Sequence, residues 1–238
     1  MAERFFLDQP LALGLVELSG PEARHLAQVR RFRPGDAVTL FNGDGKEYAG
    51  RVEAIERRTV LIQLDQTIEP QRELPFTLHV ASALPKGDRA QFLVEKLTEI
   101  GAASLTPLVC HRSVVQPGEG KMEKLERYVV EASKQCGRNV LMQVEEPTVW
   151  ANFLGRRASG EVMLLAHPGE SVAALPVLAP GSVCRIAIGP EGGFTDEETR
   201  LALEAGWRRV SLGPRILRVE TAALVLAAWA VASGAAQA

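Results

Sequence analysis

Aromatic side chains are scarce in this sequence, at 5% of 238 residues. That scarcity argues against a protein that grips an extended nucleic-acid strand by stacking successive bases on rings. Cysteine is scarcer still. Cys110, Cys136 and Cys184 stand far apart with no CxxC pair, and the histidines (His25, His79, His111, His167) are equally scattered. Neither spacing matches a metal cluster, so no metal site is expected. Each cysteine falls in an apolar strand or helix pattern and reads as a buried free thiol, which suits a reducing cytoplasm. Charge of one sign is missing too: 27 Lys and Arg against 29 Asp and Glu leave a net charge of −2, so any basic surface must be local. Long hydrophobic runs are absent. The longest, residues 222–232, covers about eleven residues where a membrane span needs roughly 20. The opening MAERFFLDQP lacks the apolar core of a signal peptide. What remains is a soluble cytoplasmic protein, long enough for one large domain or two small ones.

The chain changes texture near residue 70. Before it, short β-like runs at 38–41, 47–52 and 60–64 are separated by turn signals, including Asn42-Gly43-Asp44-Gly45, which favours a tight hairpin. This part reads as a small, mostly antiparallel barrel. The polar, proline-containing stretch DQTIEPQRELP (65–75) reads as a linker. From Phe76 strands alternate with helices, with strands expected at 76–83, 105–110, 139–144, 161–166, 183–188 and 208–212. Residues 121–136 carry one apolar stripe, and a second helix follows Gly87, with Asp88 as N-cap, Phe92, Leu93, Leu97 and Ile100 facing inward and Gly101 as its end. Such alternation implies an α/β fold with a parallel sheet covered on both faces.

Ligands of these sheets sit beyond the carboxyl ends of the strands, and three of those ends carry distinctive loops: LLAHPGE (164–170), IGPEGGFTDEE (188–198) and SLGPRILRVETAA (211–223). In the second loop Thr195 and Glu198 form a capping box, so a helix starts directly after the glycines. A helix N-terminus attracts phosphate, but Glu191 would repel one, and the loop has neither the Lys of a P-loop nor the G-x-G-x-x-G of a dinucleotide site. A carboxylate among glycines suits a positively charged ligand, or one with ribose and amide donors. S-adenosylmethionine offers a sulfonium, an ammonium, a ribose and an adenine. In the third loop, Ile216 and Leu217 can wall an adenine slot between Arg215, Arg218 and Glu220.

Taken together, IGPEGGFTDEE and LGPRILRVETAALVLAAW resemble the SPOUT superfamily of methyltransferases, and within it the ribosomal RNA small subunit methyltransferase E family. RHLAQVRRFRPGD, PKGDRAQFLVEKLTEIGA, HRSVV and EASKQCGR extend the likeness over most of the chain. The resemblance implies an S-adenosylmethionine-dependent enzyme that methylates N3 of a uridine in 16S ribosomal RNA and works as a homodimer. It implies a PUA-like β-barrel over residues 1–70, for RNA, and a SPOUT domain over 71–238 whose parallel sheet ends in a trefoil knot. By position, the implied cofactor residues are Ala166 and His167 in the first loop and Gly189, Pro190, Glu191 and Gly192 in the second. The third supplies Leu212, Gly213, Ile216, Leu217, Arg218, Thr221 and Ala222. Two positions depart from the family pattern: Cys136 replaces a small polar residue and Lys134 stands where an acid is common.

Methyl transfer from a sulfonium is an in-line displacement in which positioning supplies much of the catalysis. The uridine N3 must lose a proton, and a guanidinium aimed at the neighbouring carbonyl oxygens would stabilise the charge left behind. Arg138 and Arg218 are candidates for that cation, and Glu220 or Glu191 for the base. Arg24, Arg30, Arg31, Arg33, Lys86, Arg89, Arg112 and Lys134 are candidates for RNA contact, giving position and salt-dependent affinity rather than base choice. Three rival classes remain at this level: a dehydrogenase-like α/β enzyme, a non-catalytic RNA-binding protein, and a methyltransferase of the same fold acting on another nucleotide.

Overall fold

A computed structural model describes residues 3–115, 117–155, 160–169 and 176–235. Contacts divide the chain into two units, Met1–Glu73 with Ser133–Leu141, and Leu74–Ala132 with Met142–Ala238.

The first unit contains β1 (Glu3–Phe6), β2 (Gly14–Ser19), α1 (Gly20–Arg24) running into a π-helical turn (His25–Val29), β3 (Ala37–Phe41), β4 (Glu47–Ile55) and β5 (Thr59–Ile68). Sheet order is β1-β3-β4-β5-β2, with β1 parallel to β3 and every other ladder antiparallel. The β3–β4 connection is the hairpin its sequence calls for. Asn42 Oδ1 accepts from Asp44 N at 3.2 Å, Asp44 Oδ1 accepts from Lys46 N at 2.9 Å, and Tyr48 OH donates to Asp44 Oδ2 at 2.6 Å. All five strands feed one apolar core built on Phe5, Leu18, Leu26, Leu40, Val52 and Ile62, as the walls of a small barrel do.

The segment Ser133–Leu141 is tied to this unit by charge rather than by strand pairing. Arg4 is buried, donates to Asn139 Oδ1 and to Arg138 O (3.3 Å), and pairs with Glu47, which also pairs with Arg72. Arg72 Nη1 donates to Gly137 O at 2.5 Å. Arg138 is itself buried and forks onto Glu73, with Nε–Oε1 at 2.9 Å and Nη2–Oε2 at 2.6 Å. Burial alone would raise the Glu47 carboxyl, but the guanidinium groups of Arg72 and Arg4 outweigh it and hold it below its ordinary value.

The second unit contains β6 (Thr77–Ser82), α2 (Asp88–Ile100), β7 (Ser104–Val109), α3 (Glu119–Cys136, whose last turn belongs to the first unit), β8 (Gln143–Val144), β9 (Thr148–Val149), α4 (Trp150–Leu154), β10 (Val162–Ala166), β11 (Val183–Ile188), α5 (Asp196–Glu204), β12 (Arg208–Val210) and α6 (Val219–Ala235). The strands run β12-β10-β11-β6-β7-β8, with β9 also on β7, and all ladders are parallel. The expected strands that become β6, β7, β10 and β11 are central and largely buried; of 139–144 only Gln143–Val144 is strand, and it and Arg208–Val210 lie at the two edges of the sheet.

Three local expectations are corrected. Gly87, not Asp88, occupies the N-cap of α2; Asp88 lies inside the first turn, where its charge complements the helix dipole. Phe92 does not face inward but is 45% exposed. Cys136 is exposed at the end of α3, whereas Cys110 and Cys184 are buried, their thiols pushed up to about 12 chiefly by burial.

Candidate active site

β12, β10 and β11 are neighbours in the sheet and end level. Ala166, the last residue of β10, pairs with Ile188 on one side and Val210 on the other, and His167 N donates to Val210 O at 3.0 Å. Parallel strands that end level deliver their following loops to one edge of the sheet. Together these loops enclose a cavity of 330 Å³.

The middle loop is the most constrained. Gly193 N donates to Pro190 O at 2.8 Å, closing a turn with Glu191 at its tip. Gly189 is required by packing: a Cβ there would stand 2.9 Å from Phe194 Cδ2 and 3.1 Å from Phe194 N. Phe194 is buried against Trp150, ring centroids 4.6 Å apart, and Trp150 also meets Phe153 and Trp207, so an aromatic cluster under α4 and α5 anchors the loop. The capping box at the start of α5 is complete. Glu198 N donates to Thr195 Oγ1 at 3.1 Å and Thr195 N donates to Glu198 Oε2 at 2.8 Å. Glu198 Oε1 also accepts from His111 N at 2.8 Å, which fastens the loop after β7 to the same point.

Ala166, His167, Gly189, Pro190, Glu191, Gly192, Leu212, Gly213, Ile216, Leu217 and Ala222 all line the cavity. Glu170, at the end of the first loop, lies outside the described residues. Arg218 and Thr221 are exposed and do not line the cavity. Sequence reasoning missed Pro168, Ile188, Gly193, Phe194, Arg215 and Val219 as lining residues, and Arg112, expected on an RNA surface, also lines it. The local signal for most of these was adjacency to the named motifs. Arg112 lies in the HRSVV motif, but that stretch does not announce a place in the pocket, because its partner is eighty positions away: Nη1 donates to Gly192 O at 2.7 Å.

Charge at the site is mixed. Glu191 is partly exposed, with Arg89 Nη2 3.7 Å from its Oε1. Arg89 Nη1 also stands 3.8 Å from Glu220 Oε2, a buried oxygen that takes no hydrogen bond among the described residues. Arg89, expected to meet RNA, is therefore shared between two carboxylates. His167 Nδ1 lies 2.6 Å from Pro168 O; a carbonyl only accepts, so Nδ1 carries the proton. Arg138, a candidate catalytic cation, is committed to Glu73 in the first unit. Lys134, expected on the RNA surface, reaches Glu22 at 2.8 Å and its side chain is 10% exposed. Arg24, Arg30, Arg31, Arg33 and Lys86 are exposed, with Arg30 Nε on Glu3 at 2.5 Å.

The cavity lining combines the Glu191 carboxylate, glycine backbone and the apolar side chains of Leu212, Leu217 and Val219, which suits a ligand with both apolar and cationic parts. Comparisons with known proteins agree with that chemistry. Residues 72–231 match the RNA methyltransferase domain model and residues 18–65 the RNA methyltransferase PUA domain model. The chain is 34% identical to the ribosomal RNA small subunit methyltransferase E of Synechocystis over 88% of its own length and 70% of the relative's. To the Bacillus subtilis protein of the same name it is 31% identical, over 87% and 86%. A Legionella pneumophila protein solved in complex with SAM superposes with a TM-score of 0.91 at 35% identity, covering 98% of both chains. The Neisseria gonorrhoeae ribosomal RNA small subunit methyltransferase E, bound to S-adenosyl methionine, gives 0.88 at 29% identity, covering 96% of both. With a level-ended parallel sheet carrying the pocket and an RNA methyltransferase model covering most of the chain, this protein belongs to the ribosomal RNA small subunit methyltransferase E family, an α/β fold with an N-terminal PUA-like domain.

Proposed function

We propose that this chain transfers a methyl group from S-adenosylmethionine to N3 of a uridine in the 16S RNA of the small ribosomal subunit, in the cytoplasm. The observation that carries the reading is the convergence of the loops after β10, β11 and β12 on one cavity with Glu191 at its rim. The residues present fit the donor. A volume of 330 Å³ is of ligand size, since pockets for small molecules run to roughly 300–1,000 Å³. The surface at Gly189 and Gly192 is backbone, because a Cβ would strike Phe194 or Arg112. Leu212, Leu217, Val219 and Ala222 would hold the adenine, backbone groups of residues 189–193 the ribose, and Glu191 the cationic end.

Bound there, the donor supplies an electrophilic methyl group on a cationic sulfur. The protein's tasks are to exclude water, align the base and remove its N3 proton. RNA contact falls to Arg24, Arg31 and Arg33 in the first unit and to Lys86 in the second, since Arg30, Lys134 and Arg89 are engaged by carboxylates.

The functional form is a homodimer joined through α6. Thr221, Val225, Ala228, Trp229 and Ala232 recur at helical spacing on its exposed side, with Val225 42% and Trp229 43% exposed, and none of them is charged. A matching pair of such stripes suits an isologous contact. Trp229→Asp should convert dimer to monomer in light scattering; a wild-type chain that is already monomeric refutes the dimer. A trefoil knot formed by the loops around this pocket belongs to the same reading.

The decisive test supplies labelled S-adenosylmethionine and undermethylated small subunits. Label should appear on N3 of one 16S uridine, located by mass spectrometry of the digested RNA. Label on another base would move the substrate, and binding without transfer would leave a non-catalytic RNA-binding protein. Calorimetric binding of NAD but not S-adenosylmethionine would overturn the enzyme class.

A further inference from the structure

Two arginines line the cavity, Arg112 and Arg215, and they differ in how firmly they are held. Arg215 is exposed and its side chain makes no hydrogen bond or ion pair among the described residues. Arg112 is fixed at both ends. Its peptide neighbour His111 donates to Glu198 at 2.8 Å, and Glu198 is locked by the capping box. Its Nη1 donates to Gly192 O at 2.7 Å, and its stem lies so close to Gly192 that a Cβ there would stand 3.1 Å from Arg112 Cδ. Among the described residues no carboxylate pairs with Arg112, in contrast to Arg89 and Arg138. The Gly192 carbonyl is neutral and uses one of the five N–H groups of the guanidinium, so the charge and most of the donors remain available.

Fixed donors that need no reorganisation stabilise developing charge better than mobile ones. We propose that Arg112 is the catalytic cation of the methyl transfer, binding the negative charge that spreads onto the carbonyl oxygens flanking N3 as its proton leaves. The inference rests on the methyl-transfer reading above. In the balanced step N3 loses its proton to the Glu191 carboxylate. The electron pair so released forms the N3–CH3 bond while the C–S bond of the donor breaks, its pair passing to sulfur. Positive charge on the donor is lost, and the proton and methyl group are both accounted for. Arg112 lowers the cost of the intermediate anion and also holds the 190–193 turn in place.

Single-turnover methylation of undermethylated small subunits by full-length wild type, Arg112→Ala and Arg112→Lys, across a pH series, tests the assignment. The Ala variant should lose about 10²- to 10³-fold at neutral pH, the usual effect of deleting one oxyanion donor. That loss should shrink as rising pH ionises the base without help, it should persist at saturating S-adenosylmethionine, and Lys should restore part of the rate. Three outcomes overturn it: an unchanged rate, a loss constant with pH that tracks weakened donor binding, or a flatter salt dependence with unchanged saturated rate. The first removes Arg112 from the reaction, the second leaves only a clamp on the turn, and the third makes it a phosphate contact. A wild-type chain that binds no S-adenosylmethionine sinks the underlying reading instead, and that binding is measured first.

Discussion

Gly189→Ala is the sharpest structural perturbation of the pocket. The added Cβ would lie 2.9 Å from Phe194 Cδ2 and 3.1 Å from Phe194 N, inside normal contact on both a ring and a backbone atom. The ring cannot retreat freely, because Trp150 packs on it with centroids 4.6 Å apart. The backbone cannot retreat without opening the turn closed by Gly193 N and Pro190 O at 2.8 Å. Overpacking of this kind costs about 1–3 kcal/mol. At about 2–4 °C per kcal/mol for a chain of this size, the melting temperature should fall by roughly 2–12 °C. Because the same turn forms the cavity wall, S-adenosylmethionine should bind at least about tenfold more weakly, or 1.4 kcal/mol. Thermal unfolding and calorimetric titration measure the two effects, and Gly118→Ala, where a Cβ meets nothing within 4 Å, is the control. A Gly189→Ala protein with wild-type melting and wild-type affinity would refute both the tightness of the turn and its place in the site.

Glu198→Ala strips the capping box and leaves His111 N without its acceptor, so urea unfolding should report a loss of about 0.5–2 kcal/mol for the cap, with the donor site loosened. Arg4→Ala leaves the buried Glu47 with one partner fewer and Asn139 without its donor; breaking a buried pair costs about 3–5 kcal/mol, read by the same method. With a thiol reagent near pH 8, Cys136 should react quickly while Cys110 and Cys184 wait for unfolding; fast loss of all three thiols refutes the burial. The two buried thiols keep their protons up to about 12, whereas an unfolded chain releases them near 9.0. Their contribution is thus complete below pH 9.0 and lost as pH rises towards 12, so melting temperature should decline across that window.

How much of this was legible in the sequence depends on the range of the interaction. The hairpin at Asn42, the end of α2 at Gly101 and the capping box at Thr195 rest on contacts within a few residues, and the sequence names all three. Of the strands leading into the pocket, β10 and β11 are readable because burial makes them largely apolar runs, whereas β12, Arg208-Arg209-Val210 at the edge, carries no such signal. Phe92 was misread because helical spacing identifies a stripe without saying how wide the covering neighbour is. Arg138 looked like a free cation after a helix; its partner, Glu73, is 65 positions upstream and no local pattern announces it. Arg112 was placed on a generic basic surface for the same reason. HRSVV marks the stretch and the absent side chain at Gly192 marks the space, and the two become meaningful only once they are seen together.

The pairing of Ala166 with both Ile188 and Val210 has a consequence for biosynthesis. A ribosome delivers the chain from its N-terminus, and the three-residue strand that completes the trio, together with the wall at Val219 and Ala222, emerges after every other strand of the sheet. A growing polypeptide therefore has no chamber for the donor until the last strand of the sheet and the start of α6 have left the exit tunnel, and ligand capture follows assembly of the sheet rather than preceding it.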